Sequence, residues 1–465
     1  IESRNFHNTT KAFQGAEDAW PKVVDSHPNG FVFSPDPGHR LTQKISDGVF
    51  VWEPEWQYMV HRPMEVDRGL DPDSDLFSPG YFNAFLKGGR SVTLYAGIAG
   101  AQNSGTPIIK PSMQDVETVV FEQDRFWKLD AVLEKSMDNY MVKRGALRTV
   151  IAGYPWFLDW GRDALIFVRG LIASKKTDEA RATLKLFGQY EKDGTIPNMI
   201  HGENARNRDT SDAPLWYFVA CDELVRAEES EDFLDTACGG RTIRQILFSI
   251  AHSYRTGTPN AIRMDPESGL IFSPAHFTWM DTDSPAGTPR EGYPIEIQAL
   301  WVAALSFLAR IDPSGEKGEW DNEAFRVQSS ILEYYVLKEE NYLADCLHAG
   351  PGTPARKAEP DDALRPNQLL GVTLGAVTDR RVCRKILASC EELLVPGAIR
   401  SLADRRVRRP LFIDHHGKRI NHPHFPYQGK YAGDEDTNRK PAYHNGTAWT
   451  WQFPSYCEAW AKTYG

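Results

Sequence analysis

The densest group of chemically capable side chains lies in residues 153–163, which read GYPWFLDWGRD. Two tryptophans, two aspartates and an arginine in so short a segment are costly to bury unless each polar group finds a partner. An arginine beside a carboxylate can donate to and accept from adjacent hydroxyls, while indole rings cover the apolar face of a pyranose. The segment therefore predicts a sugar subsite, although a helix cap is the competing interpretation of Asp163. Its candidate residues are Trp156, Asp159, Trp160, Arg162 and Asp163.

A second group centres on Asp281 in the sequence FTWMD. Trp279 and Met280 precede this aspartate and can desolvate its carboxylate, which raises its pKa as a general acid requires. An ordinary turn aspartate is the competing interpretation. Glu296 follows at the start of a helical run, where it is either a site residue or a favourable acid of the first helical turn.

Other candidate site residues are spread over the second half of the chain. In chain order they are Asn198, Asp212, Trp216, Arg365, Asn367, His444 and Trp449. Asp212 precedes Ala-Pro, so a helix N-cap and a ligand role are equally good interpretations of it. The acidic run 434–436 is typical of a solvated loop, but one of its members could serve as a general base.

Four histidines, His415, His416, His422 and His424, lie close together and could bind Zn²⁺ or Ni²⁺. No HExxH frame or helical pair surrounds them, and the chain contains no GxSxG, P-loop or dinucleotide-binding glycine motif. We therefore predict neither a metal nor a cofactor.

Two kinds of element must position these residues. Residues 1–115 are rich in Pro, Gly and Asp around short β-prone runs, which predicts an antiparallel β domain. It has too few strands for a full sandwich, and the chain starts at Ile1, so we expect a truncated domain. Residues 116–465 have helical periodicity, with helices predicted over 116–143, 295–311, 366–377 and 447–463, among others. Long loops between the helices carry the clusters, a layout typical of a helical toroid whose site is built by loops at one end.

Composition narrows the classes of function. The 465 residues carry 53 Lys and Arg against 63 Asp and Glu, a net charge of −10, which disfavours a nucleic-acid partner. No run approaches the roughly 18 apolar residues of a membrane helix. Six widely spaced cysteines favour free thiols and a cytoplasmic location. The 13 Trp, 17 Tyr and 23 Phe are numerous enough to serve both a core and a sugar-binding cleft.

Seven blocks, in order, resemble the amylo-α-1,6-glucosidase module of bacterial-type glycogen-debranching enzymes. They read GYPWFLDWGRD, IPN, DAPLW, TWMD, EIQALW, RPNQ and YHNGT, and they extend over about residues 115–465. Residues 65–80 also resemble the end of the family's N-terminal β domain. The resemblance implies a mainly α protein, an (α/α)6 toroid of the glucoamylase-like kind, behind a partial N-terminal antiparallel β domain. It further implies inverting hydrolysis of α-1,6-linked glucose at branch points, with an α-glucan as partner and no cofactor.

Carried over block by block, the family's general acid corresponds to Asp281. Arg162 and Asp163 resemble the Arg-Asp pair with which related glucoamylase toroids hold the terminal glucose. Eukaryotic debranching enzymes carry a catalytic Glu where this chain has Ala448. By placement we expect Glu435 to be the base, with Asp434 or Glu296 as substitutes.

Three alternatives stay open at this point. The first is another exo-acting gluco-oligosaccharide hydrolase of the same toroid, of glucoamylase or trehalase type. A catalytically inactive glucan-binding module would explain Ala448. A metal-dependent enzyme would use the four histidines.

Overall fold

The computed structural model describes residues 1–4, 8–66, 71–99, 129–154, 157–202, 204–314 and 317–465. It divides into two units, Ile1–Trp127 and Lys128–Gly465. The predicted boundary between residues 115 and 116 lies outside the described residues, so it stays a prediction.

The first unit is built from antiparallel strands. Its described strands are β1 Val24–His27, β2 Gly30–Asp36, β3 His39–Ile45, β4 Val49–His61, β5 Asp73–Asn83 and β6 Leu94–Ala99, with two short helices, α1 Ala16–Ala19 and α2 Pro63–Val66. Four strands pair in the order β1-β2-β3-β6, and β4 pairs with β5 in a second ladder. Phe31, Phe33, Phe50 and Phe77 form the core. Part of the aromatic excess is therefore ordinary packing.

The second unit is mainly helical. Its described α-helices are α3 Leu129–Asp138, α4 Gly161–Ala173, α5 Thr177–Gln189, α6 Ala213–Glu228, α7 Ile243–Thr256, α8 Ile295–Ile311, α9 Lys317–Tyr334, α10 Leu369–Thr373, α11 Arg380–Cys390, α12 Lys440–Tyr443 and α13 Phe453–Tyr464. A π-helical turn spans Glu435–Arg439, and short 3-10 helices span Asp232–Asp235, Ala355–Lys357, Pro366–Gln368 and Glu391–Leu393.

Short strands connect these helices as hairpins and three-stranded ladders. They are β7 Met141–Arg144, β8 Leu147–Val150, β9 Asp159–Trp160, β10 Met199–Ile200, β11 Ala237–Cys238, β12 Arg241–Thr242, β13 Arg263–Met264, β14 Ile271–Phe272, β15 Gly292–Pro294, β16 Val336–Leu337, β17 Tyr342–Leu343, β18 Cys346–His348, β19 Glu359–Pro360, β20 Leu394–Val395, β21 Ala398–Arg400, β22 Asp414–His415, β23 Lys418–Arg419 and β24 Ala448–Trp449. The three-stranded ladders run β15-β18-β19 and β20-β21-β24.

Five helices of this unit follow one another around a ring. α4 packs on α6, α6 on α8, α8 on α10 and α10 on α13. The ring closes where Nη2 of Arg169 on α4 donates to Oε1 of Glu458 on α13, at 3.0 Å. α5, α7, α9 and α11 each pack against at least one of these helices. The second unit is thus mainly helical with a series of packed helices, while the (α/α)6 toroid with its inner and outer layers stays a prediction.

The residue pattern explains how much of each helix is buried. α8 reads IEIQALWVAALSFLARI and is buried on nearly every face, as a helix enclosed on all sides must be. α11 buries only Cys383, Ile386, Leu387 and Cys390, a single stripe at helical spacing. α7 is also amphipathic, and Thr242 and Gln245 form a capping box at its start.

Three of the predicted helices need correction. The described part of 116–143 is helical only to Asp138, because Gly145, at φ 58°, closes a β-hairpin of β7 with β8. In 366–377, only a 3-10 turn and α10 form, and Gly375 at φ 77° follows them. In 447–463 the helix begins at Phe453 with a proline in its first turn, and Ala448–Trp449 is a strand instead. The predicted helix 295–311 matches α8.

Within the described residues, no helix is both long and apolar enough to cross a membrane.

Candidate active site

The candidate residues gather at the N-terminal ends of the ring helices. Arg162 and Asp163 occupy the first turn of α4, Asp212 directly precedes α6, and Glu296 lies in the first turn of α8. The N-terminal end of a helix carries partial positive charge, which stabilises carboxylates there. This arrangement explains how several acids are brought to one place.

Gly161 permits a close approach at the start of α4. A β-carbon on this residue would lie 2.4 Å from the carbonyl oxygen of Pro197, and its amide donates to the carbonyl of Asn198 at 2.9 Å. The segment containing Asn198 therefore lies directly against the first turn of α4. The side-chain Oδ1 of Asn198 is buried without a hydrogen-bond partner in the described part of the chain.

A cavity of about 540 Å³ opens beside these helix ends. Seven of the predicted site residues line it: Trp160, Arg162, Asp163, Trp279, Asp281, His444 and Trp449. The other described lining residues are Tyr140, Val150, Ile151, Ala152, Phe157, Ile166, Phe167, Tyr443, Thr450 and Trp451. Among these described residues, Asp163 and Asp281 supply the carboxyl groups of the wall.

Arg162 connects the acids of the site. Its Nε donates to Oδ2 of Asp212 at 2.6 Å, and its Nη2 donates to the carbonyl of Thr278 at 3.1 Å. Its Nη1 lies 3.5 Å from Oδ2 of Asp281. The side chain of Asp212 makes no capping bond to α6, although the residue occupies the N-cap position. Its carboxylate accepts from Arg162 and from the hydroxyl of Thr210 instead, so it anchors the arginine from beneath the cavity.

Asp281 is the acid best placed to carry a proton. Burial raises the pKa of Asp281 to about 6. The charge of Arg162 lowers this pKa, and the charge of Asp212 raises it. Burial also raises the pKa of Asp163. A carboxylic acid with a pKa near 6 is protonated often enough around neutral pH to act as a general acid.

Aromatic rings form one wall of the cavity. Trp279 lies with its ring centroid 5.5 Å from Trp449 and 5.1 Å from Trp451, in edge-to-face arrangements. Nε1 of Trp279 donates to Oδ1 of Asn367 at 2.7 Å, which fixes the indole. His444 stacks on Trp449 at 5.6 Å, and its Nδ1 lies 2.8 Å from the hydroxyl of Thr282. Burial and nearby arginines hold the pKa of His444 well below its ordinary value, so the imidazole is neutral at neutral pH.

A buried ion network lies under this wall. Arg290 donates to both carboxylate oxygens of Glu296, at 2.5 and 2.7 Å, and to Oδ2 of Asp345 at 2.7 Å. Nδ2 of Asn367 donates to Asp345 at 2.8 Å, which links the network to Trp279. Arg290 has φ 42°, an uncommon conformation for an arginine, and it is fixed there by its carboxylate partners.

Arg365 holds the loop that carries His444. Its Nη1 donates to the carbonyl of His444 at 2.5 Å, and its Nη2 donates to Oδ1 of Asn445 at 2.8 Å. Arg365, Asn367 and Glu296 are thus buried beneath the cavity rather than exposed in its wall. As placed, they support the residues that could touch a sugar.

Two predicted sugar contacts lie elsewhere. Trp216 belongs to α6 and is buried in the core, because a tryptophan in the first turns of an inner helix faces other helices. Asp159 is buried with its carboxylate bound to Arg144 through two bonds, at 2.7 and 2.8 Å. Neither side chain lines the described cavity. Trp156 lies outside the described residues.

None of the acids expected to serve as base lines the cavity among the described residues. Glu435 begins the π-helical turn, and its Oε2 lies 2.5 Å from Nη2 of Arg439. Asp434 caps that turn, and backbone bonds from Thr437 and Asp436 hold its pKa below the ordinary value. The carboxylate of Glu296 is occupied by Arg290.

The four histidines lie around the β22–β23 hairpin. The rings of His415 and His416 are 4.1 Å apart, Nδ1 of His424 lies 2.9 Å from the carbonyl of Val407, and His422 packs on Phe425. No group of three or more His, Cys, Asp or Glu in the described part of the chain is placed to hold a metal ion.

Sequence reasoning missed Asp345 and several cavity residues. Asp345 is a single acid inside the apolar run YLADCL, and such an acid signals a buried cationic partner. Trp451 follows Trp449 by two residues, but the helix predicted over 447–463 would have turned it away. Tyr140 and Phe167 carry no local signal that distinguishes them from core residues.

The match to known families agrees with this geometry. The family model described as amylo-alpha-1,6-glucosidase matches residues 135–465, and the model described as glycogen debranching enzyme N terminal matches residues 1–93. The chain belongs to the amylo-alpha-1,6-glucosidase family. The resemblance inferred from the seven blocks is therefore confirmed.

Individual relatives are more distant. The glycogen debranching enzyme of Saccharomyces cerevisiae is 25% identical over 64% of this chain, and the match covers 24% of the yeast protein. The chain thus spans about a quarter of the length of that relative. Among solved structures, a rhamnosidase from Klebsiella oxytoca with rhamnose bound is 12% identical, with a TM-score of 0.43, over 80% of this chain and 73% of its own. A GH78 family rhamnosidase of Bacillus sp. GL1 is 17% identical, with a TM-score of 0.36, over 48% and 21%. At these TM-scores the likeness defines neither the fold nor the activity of this chain.

Proposed function

We propose that the protein is a glycoside hydrolase that removes α-1,6-linked glucose from branch points of glycogen or limit dextrin, with inversion. The observation that carries the proposal is Asp281, a carboxylic acid with a pKa of about 6 in a cavity walled by indole rings. Family membership supports the linkage and the glucan substrate. The proposed architecture is the (α/α)6 toroid, supported by the series α4, α6, α8, α10 and α13, whose ends are joined by the Arg169–Glu458 ion pair, and by the helices that pack against it.

In the proposed reaction Asp281 protonates the glycosidic oxygen as the bond to the anomeric carbon breaks. Arg162 and Asp163 bind hydroxyls of the terminal glucose, and Trp279 and Trp449 cover its apolar face. A second carboxylate takes a proton from the attacking water on the opposite face of the sugar. An inverting pair requires about 6.5–9.5 Å between the two carboxyl groups, which leaves room for that water.

Two acids compete for the role of base. Glu435 is proposed from its place in the chain, and it must leave its ion pair with Arg439 to act. Asp163 is the alternative, because it shares the cavity wall with Asp281; as base it would face the attacking water, and Arg162 alone would bind the glucose hydroxyls. Azide distinguishes them: it should restore turnover, with a β-glucosyl azide product, only in the alanine variant of the true base. Absence of rescue in both variants would remove both residues from that role.

The Asp281→Asn variant tests the activity itself. We expect it to lose turnover on a glucosyl-branched limit dextrin while a short maltooligosaccharide still binds, because an amide cannot donate the required proton. Near-normal turnover would remove Asp281 from the mechanism. A parent protein without activity on any glucan would favour the inactive binding module, which Ala448 supports.

Side-by-side assays separate the enzyme alternatives. Cleavage of isomaltose and branched dextrin supports the debranching activity, whereas cleavage of maltose alone or trehalose alone would indicate a glucoamylase or a trehalase type. Loss of activity in EDTA would indicate a metal-dependent enzyme. We further propose a cytoplasmic location, supported by six cysteines that are all free thiols and of which five are buried.

A further inference from the structure

A continuous strip of aromatic rings leads out of the cavity. Trp451, Trp279 and Trp449 line the cavity, and Tyr443, which also lines it, lies 4.8 Å from Trp449. Tyr431 continues the strip with its ring 5.4 Å from Tyr443. Tyr431 is outside the described cavity lining and 38% exposed. The strip therefore starts beside Asp281 and ends at the surface.

The local structure fixes the inner part of the strip and leaves its outer end accessible. Nε1 of Trp449 donates to the carbonyl of Tyr443 at 3.0 Å, which holds these two residues together. Tyr431 lies in an irregular segment, and Gly433 two residues later has φ 95°. The next residues, Ala432, Gly433 and Asp434, are exposed as well. A large ring left at the surface costs hydrophobic free energy, which a ligand that covers it would recover.

Tyrosine matches the chemistry of a pyranose. The ring face packs against the C–H groups of a sugar, and the phenolic hydroxyl can donate to or accept from a sugar hydroxyl. An α-glucan is a chain of such rings, and the part beyond the cleaved bond must leave the cavity.

We propose that Tyr431, together with Tyr443, forms a further sugar subsite that holds the glucan chain on the leaving side of the cleaved bond. The proposal rests on the proposed function, because it assumes that an α-glucan occupies the cavity. It assigns Tyr431 to substrate selection: the residue favours long branched glucans and leaves short ones unaffected.

The test compares one substrate that reaches Tyr431 with one that does not. Loss of one stacking contact in Tyr431→Ala should raise KM for a glucosyl-branched maltohexaose about two- to tenfold. The kcat/KM for isomaltose, whose two rings we expect to stay inside the cavity and short of Tyr431, should stay unchanged. Tyr431→Phe keeps the ring and should restore most of the loss. An equal effect on both substrates, or an effect on neither, would overturn the subsite.

Tyr464→Ala is the matched control. Tyr464 is 47% exposed and lies 5.5 Å from the ring of Trp460, so it resembles Tyr431 in exposure and in having an aromatic neighbour. It stands at the C-terminal end of α13, whereas the cavity lies at the N-terminal ends of the ring helices. The same KM rise in this variant would mean that Tyr431 acts only through general stability, which also overturns the proposal.

A binding measurement separates this proposal from the proposed function. Calorimetric titration with linear maltohexaose requires no cleavage. Weaker binding in Tyr431→Ala but not in Tyr464→Ala supports the subsite, even if the protein cleaves no α-1,6 bond. Unchanged or absent binding of maltohexaose overturns the subsite, even if branched dextrin is cleaved.

Discussion

The pKa of Asp281 implies that the acid is a burden on the fold as well as a candidate proton donor. Its pKa rises from an ordinary 3.8 to about 6 in the folded protein. Below pH 3.8 the acid is protonated in both states and costs nothing. Between pH 3.8 and pH 6 the aspartate is ionised in the unfolded chain but still protonated in the folded one. The free energy of unfolding therefore falls as the pH rises, and this loss of stability is complete above pH 6. The Asp281→Asn variant cannot ionise and should escape this loss.

The size of the effect follows from the shift. Roughly two pKa units at about 1.4 kcal/mol each give about 3 kcal/mol as an upper bound. The side chain of Asp281 is 27% exposed, so water screens part of the penalty. We therefore expect Asp281→Asn to be more stable than the parent by about 1–3 kcal/mol at pH 7.5 and by nothing at pH 3.5.

Urea unfolding followed by tryptophan fluorescence at the two pH values measures this difference. Asp283→Asn is the matched control, because it removes the same charge two residues away, at an exposed position. The control should not change with pH in this way. An Asp281→Asn variant that is less stable at pH 7.5, or equally stabilised at both pH values, would refute the reasoning.

Three further predictions follow from the site and the ring. The kcat/KM for branched dextrin should fall about tenfold per pH unit above roughly pH 6, because Asp281 loses its proton. The kcat/KM for α-glucosyl fluoride, whose leaving group needs no proton, should show no such fall. The same fall with both substrates would contradict the assignment of Asp281 as the acid. Arg290→Met leaves Glu296 buried without its cation and leaves Asp345 with Arg365, 3.5 Å away, as its cation, so it should cost about 3–5 kcal/mol of unfolding free energy. Arg226→Met, in a pair that is largely exposed on the arginine side, should cost less than about 1 kcal/mol, and equal costs would argue against the buried network. Gly161→Ala should lower the free energy of unfolding by about 1–3 kcal/mol, because the new methyl group would press on the carbonyl of Pro197. Gly170→Ala, in the same helix, would meet only the flexible side chain of Met137 and should be neutral or stabilising. Thermal unfolding of both variants measures the difference.

The sequence was most informative where a local pattern determined the structure. α8 is mostly apolar and lacks glycine and proline, and Pro294 and Pro313 flank it, so its bounds follow from the sequence. The site segments were recognisable because Trp, Asp and Arg cluster in them, and charged groups packed beside apolar rings require partners. The helix predicted from residue 447 was wrong at its start. Helical propensity extends through these residues, but Trp449 pairs with Ile399, fifty residues away, which makes Ala448–Trp449 a strand.

What the sequence could not supply were partners distant in the chain. Arg290 and Asp345 are 55 residues apart, and Trp279 and Asn367 are 88 apart. Whether a side chain lies in the cavity wall or beneath it depends on such contacts, as Trp216 and Asp212 illustrate. Residue type predicted which segments matter, and tertiary packing determined which atoms face the cavity.

The contact between Arg169 and Glu458 joins an early part of the second unit to a late one, so it forms only after nearly all of the chain has been synthesised. Arg169 and Glu458 are 289 residues apart, and His444, Trp449 and Trp451 precede α13 by only a few residues. During synthesis, the cavity residues on and before α4 are present long before His444, Trp449 and Trp451. Loss of α13 by early termination would remove the contact with Arg169. It would also remove the helix that directly follows Trp449 and Trp451. Such a product would expose the faces of α10 and α11 on which α13 packs and would be a substrate for chaperones or proteases rather than a weaker enzyme.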